Sequence, residues 1–212
     1  MAFLETNSTT APYRKRCEDR VAVIQLPERT VIVVADGAGG VGYGEMAAQA
    51  VVDEVQREHA RIHSADQWVE LLHQIDCRIS LGESTAVVVD ARPYGIAGAS
   101  VGDSEAWIVR GESIVKLTQN QKRKPLLGSG TATAIPFMHA PLDGLLLVAT
   151  DGFCNYIDQY QFRRIMAEAD FWSISRQCVE MVRLASGELW DDVGIVAARV
   201  KPRHQSRRRI SL

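Results

Sequence analysis

Four short apolar runs follow one another between Thr85 and Leu117, at Thr85 to Val89, Gly95 to Val101, Ala106 to Val109 and Ile114 to Leu117. Arg92-Pro93 and Arg110-Gly111 punctuate them as turns. A parallel pair of strands needs a crossover of roughly a dozen residues or more, and these gaps cannot hold one. The segment therefore predicts an antiparallel meander, so any helices must lie elsewhere in the chain.

The helical spacing falls in two separate places. Ala47, Ala48, Val51 and Val55 share one face, and Trp68, Leu71, Leu72, Ile75 and Ile79 share another. A second pair is expected over Asp158 to Glu168 and Ser173 to Leu184. Strand-like runs at Val21 to Leu26 and Val31 to Ala35 open the domain, joined through Pro27-Glu28-Arg29-Thr30, and Leu145 to Ala149 and Val193 to Ala198 close it. Asn120 to His139 is polar and poorly periodic, which reads as a surface loop. Segregated strands and helices argue for an α+β chain, with strand layers and paired helices packed outside them.

At 212 residues the chain suits one domain, expected over residues 1–200 with a basic tail at 201–212 that holds Lys201, Arg203, Arg207, Arg208 and Arg209. Hydrophobic residues at 46% and charged residues at 24% are those of a folded globular chain, not a disordered one. A net charge of −2 offers no global positive field, which argues against a nucleic-acid partner. Cys17, Cys77, Cys154 and Cys178 form no CxxC pair, as expected of reduced thiols in the cytoplasm. Met1 to Thr10 lacks a signal pattern and no apolar run approaches membrane-spanning length, so no membrane span is expected.

Acidic residues recur where the apolar strands end. Glu18-Asp19 precedes one, Asp36 ends the next, Asp103 follows soon after Val101, Asp151 follows Ala149 after the intervening Thr150, and Asp191-Asp192 precedes the last. If the fold gathered these carboxylates they would repel one another unless cations or protons intervened. Oxygen-only ligation suits hard ions such as Mg2+ and Mn2+. Each acid alone reads equally as a turn or cap residue, and Asp-Gly is a common turn pair.

Two further patterns spell other chemistries. Gly37-Ala38-Gly39-Gly40-Val41-Gly42 is a literal GxGxxG between strand and helix, but Asp36 would repel a pyrophosphate there, and Asp53, Glu54 and Glu58 lie on a helix rather than closing a second strand. Gly98-Ala99-Ser100-Val101-Gly102 spells the serine-hydrolase elbow, yet a strand follows it where that elbow needs a helix.

In order along the chain, several motifs resemble those of the PPM or PP2C family of metal-dependent serine/threonine protein phosphatases, in a compact bacterial-like form. Arg14-Lys15-Arg16-Cys17-Glu18-Asp19 is similar to its opening motif, and Val33-Val34-Ala35-Asp36-Gly37-Ala38-Gly39-Gly40 to its Asp-Gly-x-Gly-Gly motif. Gly82-Glu83-Ser84-Thr85-Ala86, Val101-Gly102-Asp103-Ser104, Leu117-Thr118, Ala149-Thr150-Asp151-Gly152 and Trp190-Asp191-Asp192 follow in the family's sequence. The resemblance covers about Arg14 to Val200 and implies a four-layer α/β/β/α sandwich, two packed and mostly antiparallel sheets flanked by helix pairs.

The same resemblance implies a site of Mn2+ or Mg2+, two ions in the core and a weaker third. Asp36 would bridge the two ions, Gly37 would offer its carbonyl, Asp151 and Asp191 would complete one shell, and Glu18 or Asp19 would serve the other. Asp103 would help hold the third ion, and Arg14 would grip the substrate phosphate with a planar fork that lysine cannot copy. The implied reaction is hydrolysis of phosphoserine or phosphothreonine in proteins by a metal-activated water. The implied partner is a phosphoprotein, such as a kinase or a kinase substrate, and the enzyme a monomer.

Some positions depart from the family pattern. Asp192 and Gly194 stand where Asn and Thr are usual, leaving both Asp191 and Asp192 as candidate ligands; Glu105 replaces an Arg, and Asn120-Gln121 replaces Asp-His. The alternative to an enzyme is a catalytically weak or inactive module of the same fold that binds or regulates phosphoproteins. Lys122, Arg123 and Lys124 would form a positive rim or a solvated loop, and His139 would be a proton donor or a surface residue.

Overall fold

The computed structural model describes residues 4–39 and 42–201. Strands β1 (Leu4–Ala11), β2 (Arg20–Leu26), β3 (Arg29–Ala35) and β4 (Gly37–Ala38) lead into helices α1 (Tyr43–Glu58) and α2 (Ala65–Arg78). Then come β5 (Glu83–Ser84), β6 (Ala86–Arg92), β7 (Gly95–Val101), β8 (Glu105–Arg110), β9 (Ser113–Lys116), β10 (Ile135–His139) and β11 (Leu145–Ala149). Helices α3 (Asp151–Cys154), α4 (Gln159–Glu168) and α5 (Ile174–Met181) precede the last strand, β12 (Val193–Val200). Arg203, Arg207, Arg208 and Arg209, the expected basic tail, lie outside the described residues.

One sheet runs β1-β12-β11-β8-β9, the other β10-β7-β6-β3-β2, and the pairings in both are antiparallel. The period-2 alternation of each strand assigns its side chains to two different layers. From β3, Val31, Val33 and Ala35 pack with Val51, Val55, Trp68 and Leu72 of the first helix pair. Its Ile32 and Val34 face the opposite way and meet Ile108, Leu146, Val148 and Val196 of the second sheet. Trp107, Leu147 and Ile195 cover the outer side of that sheet with Phe153, Phe162 and Cys178. The four-layer sandwich follows, and β3 reads as unbroken apolar sequence because both of its faces are buried.

The helices start where local chemistry favours it. Ser64 Oγ accepts the Gln67 N–H at 3.3 Å, and Asp158 Oδ1 accepts the Gln161 N–H at 2.7 Å. Trp68, Leu72 and Ile75 are essentially fully buried, each contributing on the order of 2 kcal/mol. Among the described residues no helix is long and apolar enough to cross a membrane.

Three local expectations are corrected. The stretch from Asn120 to His139 is not loop throughout, because β10 closes one edge of a sheet against β7. Phe137 is buried between the sheets, and Gly98 makes room for it: a Cβ there would lie 2.4 Å from Phe137 Cζ. The opening residues form β1, an edge strand whose polar and threonine-rich sequence carries little alternation, yet Leu4 is fully buried and the strand pairs along its length with β12. Pro27 and Glu28 alone form the first turn, since Arg29 and Thr30 already pair with Leu26 and Gln25.

Candidate metal centre

β3, β7, β11 and β12 bring the acids to one end of the sandwich. Asp36 follows β3, Asp103 sits in the turn from β7 to β8, Asp151 opens α3 after β11, and Asp191 precedes β12. Single carboxylate oxygens of Asp36, Asp103 and Asp151 lie within 4.8 Å of one another, a group able to coordinate a divalent cation.

Main-chain contacts hold Asp36 in place. Its N–H donates to Thr85 Oγ1 at 3.0 Å and its carbonyl accepts the Thr85 N–H at 2.8 Å, while Ser104 Oγ bonds the same Thr85 hydroxyl at 2.7 Å. Next to it the glycine run serves close backbone approach: a Cβ on Gly37 would lie 2.2 Å from the carbonyl oxygen of Gly44. Gly152 likewise lets α3 touch the segment just before β12, where a Cβ would meet the Asp192 carbonyl oxygen at 2.0 Å.

Asp19 is 2% exposed, and among the described residues neither of its carboxylate oxygens has a hydrogen-bond partner. Burial pushes its carboxyl up to about 8, with the charges of Asp192, Asp191 and Asp151 adding to the effect. Asp36 is pushed up to about 10 by burial and then by Asp19, Asp151 and Asp191. Burial, Asp103 and Asp191 also raise Asp151, and burial and Asp192 raise Glu18. Several partly desolvated carboxylates that suppress one another's ionisation, one with two orphaned oxygens, form a site whose chemistry fits a hard cation.

Asp191 and Asp192 differ in what their side chains already do. Asp192 Oδ1 accepts the Tyr13 N–H at 2.6 Å and its Oδ2 accepts the Glu18 N–H at 2.5 Å. Asp191 is exposed and among the described residues accepts only the Asp192 N–H, at 2.9 Å. Beside them a cavity of about 640 Å³ is lined by Tyr13, Arg14, Lys15, Arg16, Glu18, Gly42, Asp191 and Asp192. Arg14 is exposed at its rim, its guanidinium carbon 5.0 Å from the Tyr13 ring centroid.

The departures from the motif pattern have local partners. Glu105 accepts the Trp107 indole N–H at 2.6 Å and pairs with Lys116, while Gln121 Nε2 donates to the Ser104 carbonyl at 2.7 Å. His139 ends β10 opposite Ile96, at the start of β7, whereas Asp103 lies past the other end of that strand. It therefore stands away from the acidic group, with Nε2 2.9 Å from Arg110.

Sequence reading missed the buried Thr85 and Ser104 hydroxyls as supports of Asp36, although both stand inside recognised motifs. It also missed Asp192 as an anchor of the main chain. Nothing in a lone aspartate announces which distant N–H groups it will meet.

The sequence matches the family model Protein phosphatase 2C over residues 13–186. No curated protein matches the sequence significantly. Among solved structures, a bacterial serine phosphatase bearing a point mutation superposes with a TM-score of 0.83 at 17% identity, covering 95% of this chain and 100% of that one. PppA, a regulatory component of T6SS in Pseudomonas aeruginosa, gives 0.75 at 20% identity, over 94% and 99%. The catalytic domain of the serine threonine protein phosphatase PstP, in complex with two manganese ions, gives 0.75 at 16%, over 94% and 99%. At these identities the likeness is one of fold.

Proposed function

The chain belongs to the protein phosphatase 2C family of metal-dependent serine/threonine phosphatases, and we propose that its acidic centre takes two cations, Mn2+ or Mg2+, with Asp36 between them. Asp151, Asp191 and the Gly37 carbonyl would help hold one ion and Asp19 the other, with Glu18 beside it. The observation that carries this reading is Asp19: a buried carboxylate whose oxygens have no hydrogen-bond partner among the described residues, next to a second acid, must be neutralised, and a cation between them would neutralise both where protons otherwise must. The two manganese ions of the PstP catalytic domain support the count. Asp191 is preferred to Asp192 because both oxygens of Asp192 are already engaged by main-chain N–H groups.

Bound there, the two cations would lower the pKa of an attacking water and offset charge on the phosphoryl oxygens. Arg14, at the rim of the cavity, donates its fork to two non-bridging oxygens and orients the phosphate. The Thr85 hydroxyl holds the Asp36 main chain and is itself bonded to Ser104, so Asp36 is positioned before substrate arrives. Cys17 is no alternative nucleophile, because burial and the charge of Asp19 push its thiol up to about 12. Lys15 and Arg16 line the same cavity and would favour phosphoproteins with acidic flanking residues.

The test is phosphate release from a phosphothreonine peptide, dependent on Mn2+, with Asp36→Asn inactive. Equal turnover in excess chelator would overturn the reading. Absence of turnover over a range of Mn2+ concentrations and peptides, with the protein folded, would favour the non-catalytic phosphoprotein-binding module.

A further inference from the structure

Carboxylates within 4.8 Å of one another repel unless a positive charge sits among them, and the chain brings one of its own. Arg123 Nε lies 2.7 Å from Asp103 Oδ2, and among the described residues it is the only side-chain cation paired with Asp19, Asp36, Asp103, Asp151 or Asp191. It belongs to the basic run Lys122-Arg123-Lys124, whose flanks are tied down. Gln121 bonds the carbonyl of Ser104, one residue past Asp103. Downstream, Leu126 and Leu127 are buried, and Leu127 exchanges backbone hydrogen bonds with Ser84 at 3.0 Å. The loop thus presents the guanidinium to Asp103 while leaving its side chain 75% exposed and able to swing into solvent.

We propose that Arg123 is a tethered counter-cation that competes with a divalent ion for Asp103, so that the outermost ion of the centre binds only by exchanging with the guanidinium. The inference rests on the metal-dependent reading above. A guanidinium and a divalent cation cannot occupy the same carboxylate oxygen, and their like charges oppose joint binding at the two oxygens of one group. Exchange is feasible because the pair is exposed, and exposed ion pairs shift an equilibrium constant only a few-fold. Among the described residues Asp19 has no cationic side chain to exchange, so ions it holds with Asp36 should be indifferent to Arg123.

Calorimetric titration of the chelator-stripped full chain with MnCl2 tests this, using the wild type, Arg123→Gln, Asp103→Asn and the double variant. Arg123 is exposed, so its replacement should leave folding intact. The expected result is a roughly fivefold tightening of the weakest class of sites in Arg123→Gln, with the tighter ions unchanged. The double variant should titrate like Asp103→Asn alone. An Arg123→Gln isotherm that superimposes on the wild type, or the same tightening without Asp103, would overturn the inference while leaving the metal-dependent reading intact. A wild type that takes up no Mn2+ would overturn both.

Discussion

The carboxylate of Asp192 accepts the backbone N–H of Glu18 at 2.5 Å, across 174 residues of chain, and with the Tyr13 N–H it ties the segment bearing Arg14 to the segment bearing Asp191. Two adjacent aspartates therefore have different tasks. Asp192→Ala should lower stability by about 1–3 kcal/mol in a urea titration, since two main-chain donors lose their acceptor. Asp191→Asn should change stability by less and weaken Mn2+ binding instead. The reverse pattern would exchange the two assignments.

Metal-free protein should lose stability as pH rises. The folded-state carboxyls of Asp19 and Asp36 stand near 8 and 10, far above the value of about 4 for an unfolded aspartate. Between those limits the native state holds protons that the unfolded state releases, so their contribution is complete below about pH 4 and is lost as pH climbs through 8 and 10. Calorimetric melting in EDTA should show a falling midpoint from pH 6 to pH 9, by at least several degrees as an order of magnitude. Saturating Mn2+ should raise the midpoint and flatten this slope, and an EDTA series that rises with pH would contradict the site.

Asp76, on α2, is buried and accepts the N–H groups of Gly128 at 2.7 Å, Gly130 at 3.0 Å and Ala132 at 2.9 Å. It organises the loop that leads into β10. Asp76→Ala should cost about 1–3 kcal/mol, because three main-chain donors, the buried Ala132 N–H among them, lose their acceptor together. Denaturant midpoints would measure it, and a loss below about 0.5 kcal/mol would mean the loop keeps its shape without the carboxylate.

The four thiols should differ in reactivity. Cys77 is exposed, whereas burial pushes Cys17 and Cys178 up to about 12 and raises Cys154 as well. Brief iodoacetamide treatment of the native protein should label Cys77 first, as read by peptide mass spectrometry. Early labelling of Cys178 would show that α5 opens readily.

Much of the layer order could be read directly, because period-2 and period-3.6 patterns report burial faces without knowledge of partners. Val31 to Ala35 and Leu145 to Ala149 are apolar enough to demand burial on both sides, and the short turns after Thr85 leave only antiparallel pairing. The acids were legible for a related reason: charge at the end of a buried strand is costly enough to stand out. β1 and β10 escaped notice, since an edge strand needs alternation on little more than one face, and Pro136 in β10 imitates a loop.

From residue order alone came most of the element types, the antiparallel meander and the candidate acids at the strand ends, all of which depend on local spacing and on burial cost. Only tertiary packing decided that Asp192 grips the Glu18 main chain while Asp191 stays free, that Arg123 neutralises Asp103, and that Asp76 shapes a loop some fifty residues away. These are hydrogen bonds and ion pairs between groups distant in sequence, whose partners are chosen by where the strands end in space. No local pattern encodes that choice.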